Sequence, residues 1–214
     1  PIVVSQLALL YLAAKQPREA IRRFTRAIEL DDTNFLSIRG RSDAEISIGD
    51  HPAALADLEK ALELKPDDSG VLNNLAWLLA TSPVDEIRDG ERAIELAEKA
   101  CEETEWQEAH IISTLAAGYA ETGNFEKARE YSQKAVETGG EAEEIVEQLQ
   151  KELESYKVEK PWRERQEMEE AVLEGADSED AVEALITAEA ADMPADAPAD
   201  TDAKTAPPEP RRPF

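Results

Sequence analysis

Apolar residues recur along the first 140 positions with a helical period that breaks at short, regular intervals. Val3, Leu7, Leu10, Tyr11 and Ala14 share one face of a helix. Ala20, Ile21, Phe24, Ala27, Ile28 and Leu30 mark a second, which opens at Pro17, a residue suited to a first helical turn. Asp31, Asp32 and Thr33 end it. The next pair runs from about 34 to 48, turns at Gly49 and Asp50, and restarts at His51 and Pro52. Pro66 cannot continue a helix and closes that pair. A third pair begins near Ser69, an expected N-cap, and its connection over 81–90 is longer and contains Pro83. The fourth starts near Trp106, turns at Gly123 and Asn124, and ends at Gly139 and Gly140. Residues 141–157 predict one more amphipathic helix, with Ile145, Leu149 and Leu153 as its apolar stripe.

The pairs repeat. Ala20, Phe24, Ala27, Ile28, Glu29 and Leu30 reappear 34 residues later as Ala54, Leu58, Ala61, Leu62, Glu63 and Leu64. The set returns as Ala93, Ala97 and Ala100, and again as Ala128 and Ala135. The step from Ala54 to Ala93 is 39. A fixed period of this size predicts stacked supersecondary units. An unrelated helical bundle needs no such register.

The second unit, ending ALADLEKALELKPDD, resembles the tetratricopeptide repeat family. NNLAWLLATSP, RDGERAIELAEKACE and STLAAGYAETGNFEKA are similar to a bacterial subgroup with a lengthened third repeat. The resemblance implies an all-α, right-handed superhelical solenoid. Its four helix-turn-helix units would be 1–34, 35–68, 69–105 and 106–140, with a capping helix at 141–157. Ala20, Ala54, Ala93 and Ala128 would sit where the helices of each unit cross, facing Ala8, Ser42, Ala76 and Ala116. Ala27, Ala61, Ala100 and Ala135 would meet the next unit. Only small side chains let backbones approach to about 8–10 Å. Leu7, Tyr11, Phe24, Leu58, Leu75 and Tyr119 would fill the space between. The chain departs from the family pattern at Asp32, Arg41, Ala97 and Ser132.

In this family ligands lie along the concave surface, lined by the first helix of each unit. The transferred register implies a partner-binding set of Arg39, Asp43, Asn73, Asn74, Trp77, His110, Ser113 and Thr114. Asn bonds a peptide backbone in both directions, Trp77 offers a rigid anchor, and Arg39 can hold a carboxylate. The structural alternatives are that Asn73 and Asn74 merely cap or solvate their helix and that Trp77 packs under the 81–90 loop. The family's two-carboxylate clamp is not matched: Ser5 and Leu9 stand in the first unit, and His110 and Thr114 replace its basic pair.

Charge narrows the partners. The 214 residues carry 48 Asp+Glu against 23 Lys+Arg, formally −25. Such a surface repels nucleic acid and anionic membranes and steers basic partners toward it. No catalytic grouping, metal set or cofactor motif is present in the sequence. His51 occupies a packing position at a hairpin turn, His110 has no Cys or His at ligand spacing, and Cys101 is a small packing residue that has no disulfide partner. No 18-residue apolar run exists to span a membrane. Residues 158–165 read as a linker. Residues 166–214 carry 14 acidic and 3 basic side chains and 6 of the 12 prolines, an acidic tail expected to be disordered apart from a transient helix over 178–190.

The expected function is a non-catalytic protein-interaction scaffold that binds a peptide or partner protein, with no small-molecule substrate. The alternative is a rigid spacer or regulatory segment of a longer multidomain protein truncated upstream of Pro1, in which case Val3, Leu7 and Leu10 form a cut edge. A soluble, cytoplasmic location is expected, or a periplasmic one if a signal peptide was removed upstream.

Overall fold

The computed structural model describes residues 2–140 and 143–164. The tail 166–214, its helix over 178–190 and the start of the segment 141–157 lie outside the described residues. The described residues all belong to one compact unit.

Among the described residues the structure is helical throughout: α1 (Ile2–Ala13), α2 (Pro17–Leu30), α3 (Phe35–Ser47), α4 (His51–Leu64), α5 (Ser69–Thr81), α6 (Gly90–Glu103), α7 (Ala109–Glu121), α8 (Phe125–Thr138) and α9 (Glu143–Lys157). A single 3₁₀ turn, Asp85–Ile87, lies between α5 and α6. Each helix packs on its successor; α1 also touches α3, and α5 touches α7. The first helices α1, α3, α5 and α7 therefore form one layer, and α2, α4, α6 and α8 the other.

The start signals repeat with the fold. Asn34, Asp50, Asp68, Asp89 and Asn124 each accept a hydrogen bond from the backbone N–H three residues on, at 3.0–3.3 Å. Each such cap is worth about 1 kcal/mol. The cap of α5 is Asp68; Ser69, expected in that role, is the first helical residue. α7 begins at Ala109, not at Trp106. Glu105 and Trp106 take left-handed φ values of 51° and 60°, and the Trp106 N–H donates to the Cys101 carbonyl at 2.8 Å. The indole thereby turns outward to stack on Tyr131, with ring centres 6.0 Å apart.

The small residues sit where the period places them. Ala8, Ala20, Ser42, Ala54, Ala76, Ala93, Ala116 and Ala128 are fully buried, as are Ala27, Ala61, Ala100 and Ala135. Tyr11, Phe24, Leu58 and Leu75 fill the gaps between them. Gly40 shows how tight the fit is: a Cβ there would lie 2.4 Å from the Phe24 ring, itself wholly buried. The 81–90 connection absorbs the longer spacing without disturbing the register. Ile87 is buried, and Arg88 donates to the Ser82 carbonyl and to Glu121, both at 2.8 Å. Ile2 and Val3 are exposed, whereas Leu7 and Leu10, expected at the same edge, are half-buried.

Among the departures from the repeat pattern, Arg41 has a local explanation. Arg41 donates through Nε and Nη2 to both oxygens of Asp57 at 2.6 and 2.7 Å, and through Nη1 to Thr25 at 3.1 Å. It joins α2, α3 and α4. Ala97 and Ser132 are fully buried, and the Ser132 hydroxyl has no partner. Burial lowers the His51 pKa, so the ring packs uncharged. Burial pushes the Cys101 thiol up to about 11, so it packs as an inert small residue.

Glu45 sits beside the Arg41–Asp57 pair with one carboxylate oxygen buried and unpartnered. Burial pushes its carboxyl from 4.5 up to about 7; Asp57 adds to the rise and Arg41 opposes it. The folded chain thus holds a proton that the unfolded chain has released, and stability falls as pH rises from about 4.5 to 7. Urea midpoints across that window should show this loss, and Glu45→Gln should flatten it; an unchanged slope would refute the assignment. Gly40→Ala should gain about 1 kcal/mol of helix propensity but lose about 1–3 kcal/mol to overpacking against Phe24. A net fall in Tm is expected, and a rise would show that the ring yields.

Candidate functional site

The eight residues implied by the resemblance lie on α3, α5 and α7, and several form one hydrogen-bonded line across the three units. The Asn74 amide donates to Asp43 at 2.8 Å, and the Asn73 amide donates to Asn74 at 3.2 Å. The Thr114 hydroxyl reaches Asn73 Oδ1 at 2.7 Å and the His110 carbonyl at 3.0 Å. Arg39 stands at the other end, 3.6 Å from Asp68, the cap of α5. Burial raises the Asp43 pKa, while Arg39 and the Asn74 bond pull it down.

Asn73, Asn74, Trp77, His110, Ser113 and Thr114 line one cavity of about 1020 Å³. Arg39 and Asp43 do not line it. The accessible groups are Arg39, Asn74, Trp77 and His110. Asn73, Ser113 and Thr114 are buried and bonded within the chain, so they position their neighbours rather than present themselves. His110 is exposed, 3.7 Å from Glu108.

The far wall comes from α9 and the residues after it. The Ser113 hydroxyl donates to Glu152, and the Gln148 amide donates to its other oxygen at 3.1 Å. Glu152 is buried, which raises its pKa; Ser113 and Gln148 oppose the rise and Glu164 adds to it. Beyond α9 the chain returns to the first-helix layer. The Glu164 N–H donates to the Thr81 carbonyl at 3.0 Å, and the Trp77 indole N–H donates to the Glu164 carboxylate at 2.8 Å. Arg163 pairs with Glu121 at 2.6 Å. Trp77, half-buried, is thus held on one side by this returning segment and lines the cavity with the rest.

Sequence reasoning places neither Glu152 nor Glu164 in the site. The signal for Glu152 is its place among apolar residues: α9 buries Leu149, Glu152, Leu153 and Tyr156, while Ile145 is half exposed at the cavity wall. A carboxylate on the buried stripe of a capping helix marks an inward-facing polar contact.

Among the described residues no group of three or more His, Cys, Asp or Glu is placed to hold a metal ion, and no helix is long and apolar enough to cross a membrane.

A family model described as tetratricopeptide repeat matches residues 41–68. DnaJ homolog subfamily C member 3 of Gallus gallus is 36% identical over 78 residues, 36% of this chain and 16% of that protein. The tetratricopeptide repeat and J domain-containing co-chaperone DNJ1 of Fusarium oxysporum is 29% identical over 127 residues, 59% of this chain and 24% of that protein. The chain therefore spans less than a quarter of the length of either relative. Among solved structures, MamA from Desulfovibrio magneticus superposes with a TM-score of 0.58 at 18% identity, over 73% of this chain and 87% of that one. The repeat period, the paired-helix stack, the family model over residues 41–68 and these relatives agree that the chain carries tetratricopeptide repeats.

Proposed function

We propose that the chain is a non-catalytic scaffold that binds a peptide or partner protein on the concave face formed by α3, α5 and α7. The observation that carries this reading is the polar line from Asp43 through Asn74 and Asn73 to Thr114, which ends at a cavity containing Trp77. A purely structural stack has no need of buried amides on its first helices, because an apolar residue there costs no desolvation. Asn73 bonds Asn74 and Glu164 bonds the Trp77 indole, so a partner binds side chains already ordered. Arg39 and His110 widen the face on either side. One relative is a co-chaperone that carries the repeat, which supports a protein partner over a small molecule.

Capture from the native cell extract should be run with the full chain and with a variant carrying Arg39→Glu, Asn74→Ala and Trp77→Ala, after circular dichroism has matched their helicity. A partner retained by the first and lost by the second is expected. A partner held equally by both would move binding off this face.

A further inference from the structure

We infer that the cavity between α5, α7 and α9 accepts the guanidinium of an arginine side chain presented by a partner protein. The inference rests on the concave-face reading above and gives that site its chemistry.

The cavity is unbalanced in charge. Glu152 is 3% exposed, and its oxygens receive hydrogen bonds from Ser113 and Gln148, both neutral. Glu164 receives the neutral Trp77 indole. Among the described residues no Lys, Arg or His lies within ion-pair distance of either carboxylate. The cation beside them is committed elsewhere: Arg163 pairs with Glu121 at 2.6 Å and donates to the Trp162 carbonyl at 2.9 Å. Lys160 lines the wall without a counter-carboxylate there.

A buried carboxylate that lacks a cation carries its desolvation cost uncompensated. The raised pKa of Glu152 reflects that cost, and the nearby charge of Glu164 adds to it. An incoming cation would offset both effects at once. Trp77 and Trp162 line the same cavity, and indole faces favour a planar guanidinium over a compact ammonium. Asn74 and Gln148 supply acceptors for the remaining N–H groups. A volume of about 1020 Å³ leaves room for the side chain and the backbone that carries it. The chain's −25 charge draws basic partners to this surface before they dock.

The test uses the full chain labelled with ¹⁵N and a blocked pentapeptide, acetyl-Gly-Ala-Arg-Ala-Gly-amide, followed by the indole N–H resonances. Trp77 and Trp162 should shift, and Trp106, at the α6–α7 turn, should stay still. Replacing the peptide's Arg with Gln should weaken binding at least about tenfold, since a charge-assisted contact is lost. Glu152→Gln should cause a similar loss with helicity and melting unchanged; if that variant does not fold, Glu164→Gln serves in its place. Equal binding of the Arg and Gln peptides, or Arg binding indifferent to both substitutions, overturns the assignment. If it is overturned while the triple variant still loses its partner, the concave-face reading stands and only the arginine chemistry falls. If the partner survives the triple variant, the concave-face reading falls and this assignment falls with it.

Discussion

Close approach of helix backbones at the crossings is the constraint on which the rest of this structure depends. Two helices can lie near enough to exclude water only where the facing residues are small. Here the residues expected at those positions, Ala8, Ala20, Ser42, Ala54, Ala76, Ala93, Ala116 and Ala128, are all without solvent contact. The large residues follow from them. Phe24 reaches across because Gly40 leaves the space that a methyl would take. The spacing from Ala54 to Ala93 is longer than the repeat, yet both alanines occupy the same place in their units, because the 81–90 connection takes up the excess. What is held constant is the crossing, not the count of residues between crossings.

A stack built this way has few deep positions, and polar groups in them need partners. Two solutions appear side by side. Arg41 enters the α2–α3–α4 junction and is met by both oxygens of Asp57 and by Thr25. Its geometry is bidentate, the arrangement in which a partly buried pair is most favourable. Glu45 and Glu152 are met less completely. Glu45 has one oxygen without a partner, and Glu152 has only neutral donors. Burial raises the pKa of both. One lies between helices of a single unit, and the other faces a cavity that a second molecule can enter.

The fold was legible because its signals are local and repeated: alanines at fixed spacing, Pro17 and Pro52 at helix starts, Gly49 and Gly123 at turns. The ambiguous places were those where composition offered more than one phase. α1 is apolar on several sides, so Leu7 and Leu10 fit the helical period as well as Ser5, Ala8 and Tyr11 do. The structure buries the latter three: Ser5 and Ala8 are small enough for neighbouring helices to approach, and Tyr11 fills the space beside them. The 106 boundary failed for a related reason, because two left-handed residues, Glu105 and Trp106, carry no glycine to mark them. The site was half legible. The transferred register brings six of the eight residues to one cavity wall, but it cannot tell an available side chain from one already bonded. Glu152 and Glu164 come from segments 39 and 87 residues away from Ser113 and Trp77, their partners, and no local pattern encodes that pairing.

That long-range pairing also decides how the face differs along its length. At the α3 end, Arg39 is 39% exposed and Asp43 bonds only to its neighbours on the same layer. At the α7 end, α9 and Lys160 to Glu164 stand opposite the layer and convert an open surface into a walled cavity. A ligand lying along the face as proposed would therefore meet two environments. An extended backbone suits the open end, where Asn74 and Arg39 offer hydrogen bonds in water and each contact contributes little. A single side chain suits the walled end, where contacts are desolvated and worth more. The buried bonds of Asn73 and Thr114 lie between the two and keep them in fixed relation, so on the proposed concave-face reading discrimination between partners would concentrate at the cavity and the open end would set orientation.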